Sequence, residues 1–289
     1  MADAAAEEKI KKVLDKIAGL PTLPTMLNQI NKLMMNPRTS AKEVAQLISS
    51  DPSITAKVLR VVNSSFYGFP NRITTITHAI VILGFNTVKS IVLSSSIFDV
   101  FKKGGPASQF NRNEFWKHSI GVGAVARVVG KTAGYSALEE LFIAGLVHDI
   151  GKIIMDQYMH EDFEKVLTAV NTKNCLIREA EEAVFGFHHG DIGGWLFQKW
   201  NLSKGIVECT KFHHNPALAS EHPKPAAVIH LADIVTRALR FGSGGDRKIP
   251  PVSDAAWETL GLSPDKMDAL IQESGEEIDK AMVFLDFIK

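Results

Sequence analysis

Five places in the chain carry side chains suited to chemistry: His118, the pair His148-Asp149, the pair His188-His189, the pair His213-His214, and Asp233. Singly, each is ordinary. A histidine on an apolar helix usually serves as a packed or hydrogen-bonded side chain, and an aspartate can cap a helix or pair with a cation. Asp233 stands apart because it lies within Val228-Ile-His-Leu-Ala-Asp233-Ile-Val235, where an unpaired carboxylate is costly to bury. Imidazoles and carboxylates converging in a helical core form the donor set of a divalent transition metal, whose charge offsets the buried aspartates. Nitrogen and oxygen donors without thiolate favour iron, manganese, nickel, cobalt or zinc over calcium or an iron–sulfur cluster.

Helices must position these residues. Helical periodicity dominates and strand-like alternation is nearly absent, so the expected fold class is all-α. Ser40-Ala-Lys-Glu43 reads as a capping box that turns Val44, Leu47 and Ile48 to one face. Asp51-Pro52 reads as an N-cap followed by proline at the first helical position, with Ile54, Val58, Leu59 and Val62 facing inward. Ser136-Ala-Leu-Glu139 reads as a second capping box, opening the apolar helix Leu141–Val147 that ends at His148-Asp149. A helix over Ile206–Phe212 delivers His213-His214 ahead of Asn215-Pro216. Stops fall at Gly19–Pro24, Asn36-Pro37, Phe66–Asn71 and Gly104–Pro106. The expected organisation is an N-terminal helical subdomain over 1–105, a metal-binding helical subdomain over 106–240 and a C-terminal helical tail over 241–289. Nine of the ten histidines lie beyond Gly104.

Composition narrows the class. Lys+Arg and Asp+Glu are equal at 32 each in 289 residues, which argues against a nucleic-acid binder with a broad basic face. The short basic run Lys9–Lys12 is read as a solvated amphipathic helix. Two cysteines, Cys175 and Cys209, form neither a C-x-x-C motif nor a disulfide framework and fit a reducing compartment. No secretory leader is evident, and no apolar run is read as reaching the roughly 18 residues that span a bilayer. The expected location is cytoplasmic, without a membrane partner.

The order His118, His148-Asp149, His189, His213-His214, Asp233 resembles the HD superfamily of metal-dependent phosphohydrolases, especially its HD-GYP branch. Trp116-Lys-His118-Ser-Ile, Leu146-Val-His148-Asp149-Ile-Gly-Lys152 and His189-Gly-Asp-Ile-Gly193 carry the local likeness; the last favours His189 over His188. In the N-terminal half, Leu20-Pro-Thr-Leu-Pro24, Ile48-Ser-Ser-Asp51-Pro-Ser, Lys57–Gly68 and Ala79–Gly84 resemble an HDOD domain, with Phe187-His-His-Gly190 and Trp200 continuing the likeness to about residue 240. Asn215-Pro-Ala-Leu-Ala219 stands where HD-GYP enzymes carry Gly-Tyr-Pro, which argues against cyclic di-GMP hydrolysis.

The resemblance implies an HD-type helical bundle with a paired metal site. Asp149 would bridge two ions about 3.5–4 Å apart. His118, His148 and Asp233 would complete one position, and His189, His213 and His214 the other. Lys152, one turn beyond Asp149, would hold a phosphate. The implied role is a signal-transduction module with a phosphate-containing small ligand or a signalling protein as partner; the alternative is a metal-dependent phosphohydrolase. His78, His160 and His222 match no ligand position and are read as surface or packing residues; His230, three residues before Asp233, shares a face with it, and a packing role is favoured over a supporting one.

Overall fold

The computed structural model describes residues 20–34, 36, 38–101 and 108–287; the basic run Lys9–Lys12 and the Gly104–Pro106 stop lie outside them. Among the described residues every regular element is helical and none is a strand. The chain divides into two compact units, residues 21–101 with 279–287, and residues 108–278. The stretch 241–289 is therefore shared between the units.

The first unit is built on α1 (Thr25–Met34), α2 (Ala41–Ser49), α3 (Pro52–Val62) and α4 (Ile76–Phe101). The Ser40 hydroxyl accepts from the Glu43 N–H while the Ser40 N–H donates to the Glu43 carboxylate at 2.7 Å, so both halves of the capping box form. Asp51 accepts from the Ile54 N–H at 3.0 Å, with Pro52 opening α3. Val44, Ala45 and Ile48 of α2 and Ile54, Val58, Val61 and Val62 of α3 are buried, whereas Leu47 and Leu59 sit at the margin. Phe66 meets Phe284 edge-on at 5.3 Å, and Phe98 meets Phe287 at 6.0 Å, which seats the 3₁₀ turn Met282–Phe287 in this core.

Helix α4 corrects the sequence reading of apolar runs. It has 26 residues with a mean hydropathy of 1.6 over its most apolar stretch, long and apolar enough by length and composition to cross a membrane. It breaks at Gly84, where φ is 83° and ψ 164°, and buries Val88, Ile91, Val92 and Ile97 against its own unit.

The second unit centres on α5 (Arg112–Thr132), with α6 (Leu138–Val147) and α12 (Pro223–Ala238) packed along it. Around these lie α7 (Ile150–Tyr158), α8 (His160–Lys173), α9 (Ile177–Phe185), α10 (His189–Lys199), α11 (Lys204–Phe212), α13 (Asp254–Leu260) and α14 (Met267–Ala281). The capping box expected at Ser136 does not form: α6 starts at Leu138 with Ala137 before it and no side-chain cap. Glu139 instead pairs with Arg127 of α5 at 3.4 Å, so its carboxylate is turned toward the neighbouring helix and away from Ser136. Helices α5 and α6 approach until a Cβ on Gly145 would lie 2.8 Å from the Gly123 Cα, a closeness only glycine permits.

One ion pair ties the start of α5 to α7. Asp156 is fully buried and accepts from Arg112 through Nε at 2.7 Å and again through Nη2, while Arg112 is 18% exposed. Asp156→Ala leaves that guanidinium without its carboxylate and should cost about 3 kcal/mol, the low end for a broken buried pair because Arg112 is partly solvated. Urea denaturation of the variant checks this; an unchanged midpoint would contradict it.

Candidate metal centre

The second unit brings all seven expected residues together. His118 comes from the middle of α5; His148 and Asp149 from the α6–α7 junction; His189 opens α10; His213 and His214 end α11; Asp233 lies in α12. His118, His148, Asp149, His189, His213 and Asp233 are buried, and His214 is half-buried. Three donor sets form in which the ligand atoms lie within 4.8 Å of one another: His118, His148 and Asp233; His189, His213 and His214; and His148, Asp149 and His213.

Asp149 stands between them. Its Oδ2 lies 3.4 Å from His148 Nε2 and 3.7 Å from His118 Nε2, beside Asp233, whose Oδ1 is 3.0 Å from His118 Nε2. Its Oδ1 lies 2.9 Å from His189 Nε2 and 3.6 Å from His213 Nε2. Each carboxylate oxygen thus faces a different cluster. The juxtaposition depends on Gly151, because any Cβ there would collide with the His189 carbonyl.

The imidazoles are held with their lone pairs inward. His148 Nδ1 donates to the Gly145 carbonyl at 2.7 Å, His213 Nδ1 to the Thr210 carbonyl at 2.8 Å, and His189 Nδ1 to the Glu181 carboxylate at 2.6 Å. A neutral ring that donates from Nδ1 presents only a lone pair at Nε2. Yet His189 Nε2 lies 3.3 Å from His213 Nε2 and 2.9 Å from His214 Nε2. Between His189 and His213, each donating from Nδ1, two lone pairs would face one another, which a cation relieves; the His214 contact is accounted for by an Nε2–H···N bond when His214 carries its proton there. The buried His118 Nε2, His148 Nε2 and Asp149 Oδ1 have no hydrogen-bond partner.

The electrostatics agree. Burial holds His213 and His214 well below the ordinary histidine range, and neighbouring imidazoles push them further, so both are neutral donors. Burial also lowers His118. Burial acts to lower His189, but the Glu181 and Asp149 carboxylates outweigh it and raise its pKa. Burial opposes ionisation of Asp149 and Asp233, but His148 and Lys152 around the first, and Arg237 and His118 around the second, hold both well below the usual carboxylate range. The carboxylates of Asp149, Asp233, Glu181 and Asp246 outnumber the fixed cations Lys152 and Arg237, a deficit that metal charge would offset.

Lys152, the residue expected to hold a phosphate, packs inward. Its side chain is fully buried and its ammonium donates to Asp149 Oδ2 at 2.5 Å. It is a counter-charge for the Asp149 carboxylate. His188 caps α10, its Nδ1 accepting from the Gly190 N–H at 3.1 Å. His230 donates from Nδ1 to the His213 carbonyl at 2.7 Å and accepts the Ser253 N–H at 3.0 Å, so it supports His213 and leaves Asp233 alone. His78 is exposed, His160 lies 3.8 Å from Asp156, and His222 lies 3.5 Å from Glu208, all away from the centre.

Three contributors escaped the sequence reading. Glu181 orients His189; Arg237 grips Asp233 through Nε at 2.8 and 3.1 Å; Asp246 in turn accepts from Arg237 Nη1 at 3.0 Å. A signal for Glu181 existed: Ile177, Ala180 and Phe185 are buried at helical spacing around it. Asp246 lies in an irregular loop and offered none.

An all-helical fold with this histidine–aspartate centre is the HD type. The HDOD domain profile matches residues 20–216, and the chain belongs to the HDOD family. The match includes His118 through His214 and stops short of Asp233. An HDOD domain protein of unknown function from Geobacter sulfurreducens is 25% identical, superposes with a TM-score of 0.79, and is covered over 97% of its length and 95% of this chain. A Shewanella amazonensis protein provisionally named a phosphohydrolase is 22% identical with a TM-score of 0.73, over 96% of this chain and 97% of that one, a likeness of fold. An uncharacterised protein of Treponema pallidum (strain Nichols) is 26% identical over 233 residues, 80% of this chain and 44% of the relative. The chain thus spans less than half the length of that curated relative.

If Asp149 serves both positions, Asp149→Ala should lose the whole metal complement, whereas Glu181→Gln, which weakens only the hold on His189, should lower affinity about tenfold. Elemental analysis and metal titration check both; wild-type metal content in Asp149→Ala would refute the arrangement.

Proposed function

We propose that this chain is an HDOD-type regulatory module that binds a pair of divalent transition metal ions, in which the metal state of the second unit is the signal it carries. One observation supports this above the rest: Asp149 offers one oxygen to each of two separate histidine clusters, as a bridging ligand must. His118, His148 and Asp233 are assigned to one position and His189, His213 and His214 to the other, with Asp149 shared. Iron, manganese, nickel, cobalt and zinc all suit these nitrogen and oxygen donors. Lys152 and Arg237 limit the repulsion between the carboxylates before an ion arrives.

A second reading, a metal-dependent phosphohydrolase, is favoured by a cavity that reaches His214 and Asp233, one residue from each donor set. Bound there, the ions would supply an acidified water able to attack phosphorus. The chain's own residues would hold Asp149 ionised, keep His213 and His214 unprotonated, and exclude bulk water from the buried donors.

Metal removal separates the readings. Ions that bind only the folded chain stabilise it by about 2.7 kcal/mol at a hundredfold excess over Kd, so chelation should lower the Tm by about 5–10 °C. Across a panel of phosphate monoesters and diesters with manganese, iron or nickel, the regulatory reading expects background hydrolysis, and cyclic di-GMP should be left intact. Robust turnover that vanishes in Asp149→Ala would replace the regulatory reading with the hydrolase; an unchanged Tm after verified metal removal would refute metal-linked stability.

A further inference from the structure

The first unit carries a groove that neither functional reading uses. It is open, of about 810 Å³, and lies between the outer side of α3 and the loop that leads into α4. Ala56, Arg60 and Asn63 line it from α3 and its end, at helical spacing. Phe69, Pro70 and Arg72 line it from the loop. Asn63 fastens the two walls together. Its side-chain amide donates to the Leu59 and Ile73 carbonyls and its oxygen accepts the Ile73 N–H, each at 2.7 Å. The groove is therefore preformed, and an occupant does not have to order it.

Its charge is one-sided. Arg60 and Arg72 line it and no carboxylate does, although the whole chain carries no net charge. Arg72 is exposed and makes no ion pair or hydrogen bond among the described residues. Arg60 is held loosely: its Nη1 lies 3.7 Å from Asp286 Oδ2, with the two side chains 60% and 40% exposed. A pair so exposed contributes little and yields to a better-placed acceptor. Leu59 and Phe69, both half-buried, leave apolar surface in the same lining. The complementary occupant is anionic and apolar at once.

The chain already seats one segment of that kind on this unit. The turn Met282–Phe287, Met-Val-Phe-Leu-Asp-Phe, buries Phe284 and Phe287 and leaves Asp286 against Arg60. An acidic residue among large apolar ones is thus the composition already received at Arg60. A nucleic-acid strand fits less well. It brings a phosphate at every nucleotide and calls for a run of cations, where this lining offers Arg60 and Arg72 alone.

We propose that this groove docks an acidic peptide segment of a partner protein, its carboxylates on Arg60 and Arg72 and its apolar side chains against Leu59 and Phe69. None of the seven expected metal donors lies in this unit, so the proposal stands apart from the metal reading.

The test is fluorescence anisotropy of a short, capped, fluorescein-labelled peptide that alternates glutamate with leucine, titrated with the full chain at low salt. Saturable binding is expected, and it should weaken as salt rises because exposed charges are screened. Arg72→Ala and Arg60→Ala should each weaken it about fivefold or more, the scale of one charge-assisted contact at a partly solvated site. Arg72→Lys, which keeps the charge and loses the planar fork, should fall between, and it carries the test should an alanine variant fail to fold. Unchanged affinity in both alanine variants, or equal binding of the same peptide with lysine in place of glutamate, would overturn the proposal. So would no saturable binding of the glutamate peptide, or tighter binding of an oligothymidylate of matched charge, which would make the groove a nucleic-acid site.

Discussion

The second unit is organised around one buried carboxylate. Asp149 sits in a core where an isolated anion would be strongly destabilising, and its two oxygens point to different imidazole clusters. Much of the local architecture follows from making that position tolerable. Lys152 supplies a positive charge one turn along α7, and Gly151 lets the His189 backbone approach closely enough for its ring to reach Oδ1. Asp233 repeats the arrangement on α12, where Arg237 stands one turn on and is itself held by Asp246. Two aspartates, each with a cation on the following turn of its helix, therefore face one another across the histidines.

Helix ends decide which nitrogen each histidine offers. The last carbonyls of a helix lack an intrahelical partner, so a histidine at that end can donate to one from Nδ1. His148 does so to Gly145 and His213 to Thr210, each three residues back, and each is left with an Nε2 lone pair facing the centre. The start of a helix imposes the reverse. Its amide donors are the unsatisfied groups, and His188, before α10, accepts one through Nδ1. His189, a single residue later, is instead set by Glu181. Of two adjacent histidines, one becomes a cap and the other an inward donor because they fall on opposite sides of a helix boundary.

This explains what the sequence could and could not disclose. The gathering of these seven residues was legible because their types, order and neighbouring motifs resemble a known arrangement, and because helical periodicity placed each at a helix end or on an apolar face. The first capping box was legible because both its partners lie within one turn. The second was misread because Glu139 has a distant partner, Arg127, that local pattern cannot reveal. The Lys152–Asp149 contact was not legible for a related reason. One turn from Asp149, Lys152 can point outward to a ligand or back to its own helix, and only the packing that buries it decides. Asp246 was silent because its role depends on a loop that meets Arg237 only in the folded chain.

The charge balance also bears on whether such a centre signals or catalyses. Counting only the chain, the core carries more carboxylate than fixed cation, so an anion entering the cavity meets repulsion from Asp233 that Arg237 only partly offsets. Divalent ions held by these donors would make up that deficit. By linkage, any ligand of the cavity that favours the metal-loaded core would in turn tighten the core's hold on metal. A hydrolase needs this coupling only as a precondition for chemistry. In a regulatory module the coupling would itself be sufficient for function: the half-buried His214 belongs to one donor set and also lines the cavity, so occupancy of one would bear on the other without any bond being cleaved.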